Sequence, residues 1–245
     1  MSEKKPPAPI GSHSSPSGPR SSAQDIETFV RQAQAFGSAK EPGSGRLILA
    51  LDATMSRQPT WDLACMLQAQ MFDAVGHAGA LNVQLVYFRG LSECRASKFV
   101  ADTGSLKRLM SGLQCQGGET QIGKVLSHAL KETARSKVGA LVYIGDAMEE
   151  NADALAVKAG NLGLHGVPVF IFQEGRDHVA EAAFKEVARL SKGAWFRFDR
   201  NSAATLTKLL SAVAVFATGG LKALEARGLA EDRLMIEHLR GRGTK

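Results

Sequence analysis

The sequence predicts a doubly wound α/β fold: a mostly parallel six-stranded sheet with one antiparallel edge strand and helices on both faces. Three observations carry this expectation. Apolar strand-like segments alternate with amphipathic helical ones over most of the chain, a pattern that calls for a parallel sheet with right-handed crossovers. Two of the strands, residues 47–51 and 138–144, are almost wholly apolar, which suits strands covered on both faces. Each run is followed by an acid, Asp52 after the first and Asp146, beyond Gly145, after the second. Such sheets take ligands outside the carboxyl ends of their strands, where strand order reverses, so those two acids mark the expected site.

The 245 residues suffice for one sizeable α/β domain with a tail. A composition of 44% apolar and 22% charged residues can bury a core without disulfides or a structural metal. Cys65, Cys94 and Cys115 are widely spaced and contain no CxxC pair, which argues for reduced thiols rather than a disulfide framework or a zinc site. No segment is expected to cross a membrane, and the first residues lack the apolar centre of a signal peptide, so a cytoplasmic location is expected. The net charge of +6 comes from scattered Lys and Arg, and only 6% of residues are aromatic, a weak basis for nucleic-acid binding.

Residues 1–22 hold five of the eight prolines and seven serines, and are expected to form a disordered tail. Residues 23–44 read as a helix and linker, with Ile26, Phe29, Val30, Ala33 and Phe36 on one stripe before Gly37, Pro42 and Gly43. The α/β domain is expected over 45–217. Its first strand leads into a helix that buries Leu63, Met66, Leu67, Met71, Phe72 and Val75. Strand 83–88 and edge strand 94–101 follow, joined by a turn short enough to make them antiparallel. A short helix around Leu106 to Met110 precedes the loop QGGET, and Ile122, Val125, Leu126, Ala129 and Leu130 open the next helix. Thr120 therefore stands at a loop-to-helix junction, as a cap or as a site residue. After strand 138–144 come a helix within 151–162, strand 167–172, helix 179–190, strand 194–198 and helix 203–217. Gly219 and Gly220 end that helix, and a further helix over 221–239 is expected in a C-terminal extension, 218–245.

The polar residues after the first strand are Asp52, Thr54 and Ser56, oxygen-bearing side chains at alternate positions. Oxygen-only ligands suit a hard cation such as Mg²⁺. Each residue alone reads as a turn former or helix cap. Taken with Thr120 and Asp146, in this order and on these elements, the set resembles the metal-ion-dependent adhesion site of von Willebrand factor A domains, whose pattern is DxSxS, then a threonine, then an aspartate. The resemblance covers roughly residues 45–217. It departs from the pattern at Thr54, where serine is usual, and it extends to Gly117 and Gly118 before Glu119 and Thr120.

The resemblance implies that Thr54, Ser56 and Thr120 give hydroxyl ligands to Mg²⁺ (or Mn²⁺), with Asp52 and Asp146 acting directly or through water. It also implies that a protein partner supplies an acidic side chain to complete the shell, as in an adaptor or assembly subunit. Glu119, Glu149 and Glu150 are further acids near the same rim. His77, His128, His165 and His178 show no paired ligand spacing.

Two rivals remain. A Mg²⁺-dependent phosphotransferase or phosphatase of the haloacid dehalogenase type would use Asp52 as nucleophile, but resemblance to that family needs a second acid two residues later, where Thr54 stands. A basic nucleic-acid-associated scaffold is the other. No phosphate-binding glycine motif and no GxSxG elbow is present, and the chain is expected not to be an enzyme.

Overall fold

Leu47, Leu49 and Leu51 face one side of the sheet and Ile48 and Ala50 the other, all of them buried, which is why this strand shows no polar alternation. They belong to β1 (Ser44–Asp52) in a computed structural model that describes residues 44–56, 80–101, 104, 113, 115–198 and 203–240. The other strands are β2 (Ala80–Arg89), β3 (Glu93–Val100), β4 (Ala140–Gly145), β5 (Val169–Glu174) and β6 (Ala194–Phe198). The described helices are α1 (Ile122–Arg135), α2 (Ala152–Leu164), α3 (His178–Leu190), α4 (Ala203–Arg227) and α5 (Ala230–Leu239).

The sheet order is β3-β2-β1-β4-β5-β6, parallel throughout except for the β2–β3 pair. From β1 the chain builds outward through β2 and β3, and from β4 it builds outward the other way. The order therefore reverses between β1 and β4, whose Leu51 and Ile144 are level partners. Asp52 and Asp146 leave the sheet on either side of this switch point, where α/β sheets bind ligands.

One face of the sheet packs on α1, α2 and α3 through Ile48, Val86, Leu141, Tyr143, Val125, Leu155 and Phe184. The other packs on α4 and α5 through Leu47, Leu49, Val142, Phe170, Leu210, Val213 and Met235. Each large side chain buried this way contributes about 1.5–3 kcal/mol. Residues 204–227 of α4 are long and apolar enough, by length and composition alone, to cross a membrane. Half of the stretch is buried in the fold, because its apolar side covers the central strands.

Within the described residues, the expected strands and helices are present, with ends moved by a few residues; β1 starts at Ser44 rather than Leu47. The C-terminal region differs. Gly220, with φ of 66° and ψ of −161°, breaks α4 as expected, but the helix resumes only to Arg227 and turns at Gly228, also at positive φ. The expected single helix over 221–239 is thus two short pieces. Both cap the domain: Leu224 and Met235 are fully buried. Among the described residues, no disulfide joins Cys94 to Cys115. The tail at 1–22, the helix at 23–36, the helix carrying Leu63 to Val75, the helix near Leu106, Cys65 and His77 lie outside the described residues.

Candidate metal centre

Asp52 is 1% exposed at the end of β1, and its Oδ1 accepts the Thr54 backbone N–H at 2.8 Å. That bond turns the chain as soon as it leaves the sheet. Ala53 then enters the core while Met55 faces solvent, so Thr54 and Ser56 share a side, with their hydroxyl oxygens 3.0 Å apart. Thr54 is buried and Ser56 exposed, which grades the segment from the protein interior to its rim.

The loop carrying Thr120 is tied to the same end of the sheet by its backbone. Gln116 N–H donates to the Ala53 carbonyl at 3.0 Å, and Glu119 N–H donates to the Gly90 carbonyl at 3.2 Å. Gln121 Nε2 lies 3.3 Å from the carbonyl oxygens of Arg89, Gly90 and Glu93. The loop passes so near Gly90 that a Cβ on Gly118 would lie 2.1 Å from its carbonyl oxygen. Gly118 is therefore the glycine of QGGET that this approach requires, whereas a Cβ on Gly117 would meet nothing within 4 Å.

Thr120 is 6% exposed and does not cap α1. Its hydroxyl oxygen accepts the Glu149 N–H at 3.1 Å, while its own N–H donates to Glu149 Oε2 at 2.8 Å. The cap of α1 comes from another loop instead. Glu150 accepts the N–H groups of Ile122 and of Gly123, the latter at 2.9 Å, placing a carboxylate at the positive end of the helix. Burial pushes the Glu150 carboxyl above its ordinary range, against the pull of those N–H groups and of Lys158. Glu149 and Glu150 thus brace the site, a role for which the sequence offers only their position shortly after Asp146. Glu119 is exposed.

Asp146 is half-buried, and its Oδ1 is fully enclosed without a hydrogen-bond partner among the described residues. An enclosed carboxylate oxygen with no donor carries a large desolvation cost, and a bound cation relieves it. The hydroxyl spacing agrees: oxygens at adjacent corners of a Mg²⁺ octahedron lie about 2.9 Å apart. Among the described residues no group of three His, Cys, Asp or Glu side chains could hold a metal ion, so the donors here are hydroxyls plus two carboxylates. The residues present fit a hard, oxygen-ligated cation.

No protein-family model matches the chain, and no curated protein does. Solved structures do. A von Willebrand factor type A protein from Catenulispora acidiphila aligns with a TM-score of 0.56 at 17% identity, covering 72% of this chain and 43% of that one. The SpRpn10 VWA domain aligns at 0.53 and 13%, covering 70% and 94%. The fold is that of a von Willebrand factor A (VWA) domain. A third VWA-fold structure, proximal thread matrix protein 1 from the mussel byssus, is described with a zinc-occupied MIDAS motif; it aligns at 0.55 and 18%, covering 71% and 45%. The chain spans under half of the Catenulispora and mussel proteins and nearly all of the SpRpn10 domain. Within the VWA fold, Asp52, Thr54 and Ser56 follow β1, Asp146 follows β4, and Thr120 stands on a loop bonded to Ala53 through Gln116 and to Glu149 directly.

Proposed function

We propose that this chain is a divalent-cation-dependent protein-interaction module, an intracellular adaptor or assembly subunit rather than an enzyme. Ser56, Thr54 and Thr120 offer neutral hydroxyl oxygens to the ion, and Asp52 and Asp146 offer charge. When bound, Mg²⁺ or Mn²⁺ supplies a Lewis-acidic centre whose charge hydroxyl ligands leave largely uncompensated. An aspartate or glutamate of a partner is the ligand that such a centre favours.

The observation that carries this reading is the enclosed, unpartnered Oδ1 of Asp146 at the switch point, opposite a strand end that presents two hydroxyls 3.0 Å apart. The likeness to a VWA structure described with a zinc-occupied MIDAS motif supports the choice of a divalent ion. The zinc in that protein makes Zn²⁺ a necessary comparison.

The test is calorimetric titration of Mg²⁺, Mn²⁺ and Zn²⁺ into the full chain and into Asp52→Ala. Saturable heat with Mg²⁺ or Mn²⁺ that disappears in Asp52→Ala is the expected result. Equal heat in the two proteins, or none in either at millimolar metal, overturns the reading.

A further inference from the structure

Between β3 and the outer side of α1 lies a cleft of about 300 Å³, with Val86, Cys94 and Ala96 among its lining. Four cationic side chains from three elements surround it: Arg95 from β3, Lys124 and Lys131 from α1, and Lys158 from α2. Among the described residues no carboxylate lines it.

The helical repeat explains how one helix serves both purposes. Ile122, Val125, Leu126 and Ala129 form the buried stripe of α1. Lys124, Ser127, His128 and Lys131, at spacings of three and four, form the neighbouring stripe that faces the cleft. Two of the cations are positioned chiefly by neutral oxygens. Lys124 Nζ donates to the Ser92 carbonyl at 3.0 Å and to Gln121 Oε1 at 2.7 Å, and Lys158 Nζ donates to the Gly123 carbonyl at 3.0 Å. The nearby carboxylates are already engaged: Glu93 pairs with Arg89 and Arg95 at 2.9 Å each, and Glu150 holds the N-terminus of α1.

Gathering Lys124, Lys131 and Lys158 around one concavity, beside an Arg95 already paired with Glu93, is unfavourable in isolation and favourable once an anion enters. The cleft includes Gly123, three residues after Thr120, so its lining begins in the first turn of the helix that follows the Thr120 loop.

We propose that this cleft binds a run of acidic side chains in the same protein partner that gives a carboxylate to the metal. The proposal rests on the metal-centre reading for the identity of the partner, and the cleft's own charge supplies the chemistry. One carboxylate would bridge to the cation while its acidic neighbours lie along Lys124, Lys131, Lys158 and Arg95. The device selects an acidic segment over an isolated aspartate.

The probe is a fluorescein-labelled hexaglutamate peptide, followed by anisotropy against the full chain with Mg²⁺ and with chelator. Lys124 and Lys131 are exposed, so Lys124→Glu/Lys131→Glu should keep the fold, which a melting scan checks; Lys124→Gln/Lys131→Gln is the milder second variant. Hexaglutamate is expected to bind the wild type, to retain a salt-sensitive part of its affinity in chelator and in Asp52→Ala, and to lose at least tenfold in the charge-reversed variant while Mg²⁺ heat is unchanged. Binding that survives charge reversal but vanishes in Asp52→Ala overturns the cleft proposal and leaves the metal reading standing. Absence of hexaglutamate binding at low salt overturns it too, as does tighter binding of a labelled twelve-nucleotide uridine RNA that is lost in the same variants, which would assign the cleft to nucleic acid.

Discussion

Thr120 and Glu149 grip each other through two reciprocal hydrogen bonds, Thr120 N–H to Glu149 Oε2 at 2.8 Å and Glu149 N–H to Thr120 Oγ1 at 3.1 Å. The pair joins the loop before α1 to the loop after β4, and it leaves Thr120 Oγ1 with one lone pair uncommitted. Thr120→Val keeps the shape and removes the oxygen. It is expected to cost about 1 kcal/mol in chemical denaturation, the worth of one hydrogen bond. Its larger expected effect is on metal binding, which should weaken at least tenfold by calorimetry. An unchanged metal affinity would remove Thr120 from the ligand set.

Metal removal should register in stability. An ion that binds only the folded chain, at a hundred times its dissociation constant, adds about 2.7 kcal/mol. For a domain of this size that corresponds to a rise of about 5–10 °C in melting temperature. Scanning calorimetry with Mg²⁺ or Mn²⁺ against chelator is the check, and Asp52→Ala should melt at the same temperature in both.

The two glycines of QGGET should differ sharply in tolerance. Gly118→Ala would place a methyl group 2.1 Å from the Gly90 carbonyl and should cost about 1–3 kcal/mol as the loop is forced away. Gly117→Ala meets open space and should leave both stability and metal binding within error. Equal effects by urea denaturation would show that the approach to Gly90 is not what holds this loop.

That contrast also shows what the sequence made legible and what it did not. The uninterrupted apolar runs of β1 and β4 announce strands buried on both faces, and their terminal acids mark the switch point, because both properties are local. The hydroxyl-bearing residues were legible for the same reason: DxTxS is a contiguous pattern. The bracing of Thr120 by Glu149, the capping of α1 by Glu150 and the demand for glycine at 118 depend on segments about 30 residues apart, as Thr120 and Glu149 are. Periodicity carries no trace of such pairings. The break of the C-terminal helix at Gly228 is held by the packing of Leu224 and Met235 and by the Arg227–Asp232 pair, contacts that the spacing of residues 221–239 does not announce.

The turn at Gly228 makes a further prediction. Asp232 is fully buried and receives Arg227 through two nitrogens, one of them Nε at 2.8 Å, together with the Leu229 N–H at 3.0 Å. Arg227 also donates to Ser211 Oγ at 2.8 Å, across the Gly220 break within α4, so that Asp232 of α5 is joined to both parts of α4. Asp232→Ala strands a partly buried guanidinium and removes the cap of α5, and should cost about 3–5 kcal/mol. Because α5 lies far along the chain from the metal segments, Mg²⁺ heat measured below the variant's melting temperature should be unchanged.

The pH dependence of stability should contain a share from His128. Its Nε2 lies 2.8 Å from Gln84 Oε1, and Gln84 Nε2 donates to the Ser97 carbonyl at 3.0 Å, so the ring is held between α1 and the edge of the sheet. Burial holds the His128 imidazole below its ordinary value, with Arg135 and Lys131 acting the same way and Glu132 opposing them. The sign follows from proton counting. Below about pH 6.5, the ordinary histidine value, the unfolded chain binds a proton that the folded one still refuses, so stability rises with pH in that window. The contribution is complete above the unfolded value and is lost as pH falls through it toward the lower folded value. Urea denaturation of the wild type and of His128→Gln between pH 5 and 8 is the measurement. The wild type should lose more stability than the variant on going from pH 7 to 5, and parallel curves would mean that the half-buried ring titrates as it does in water.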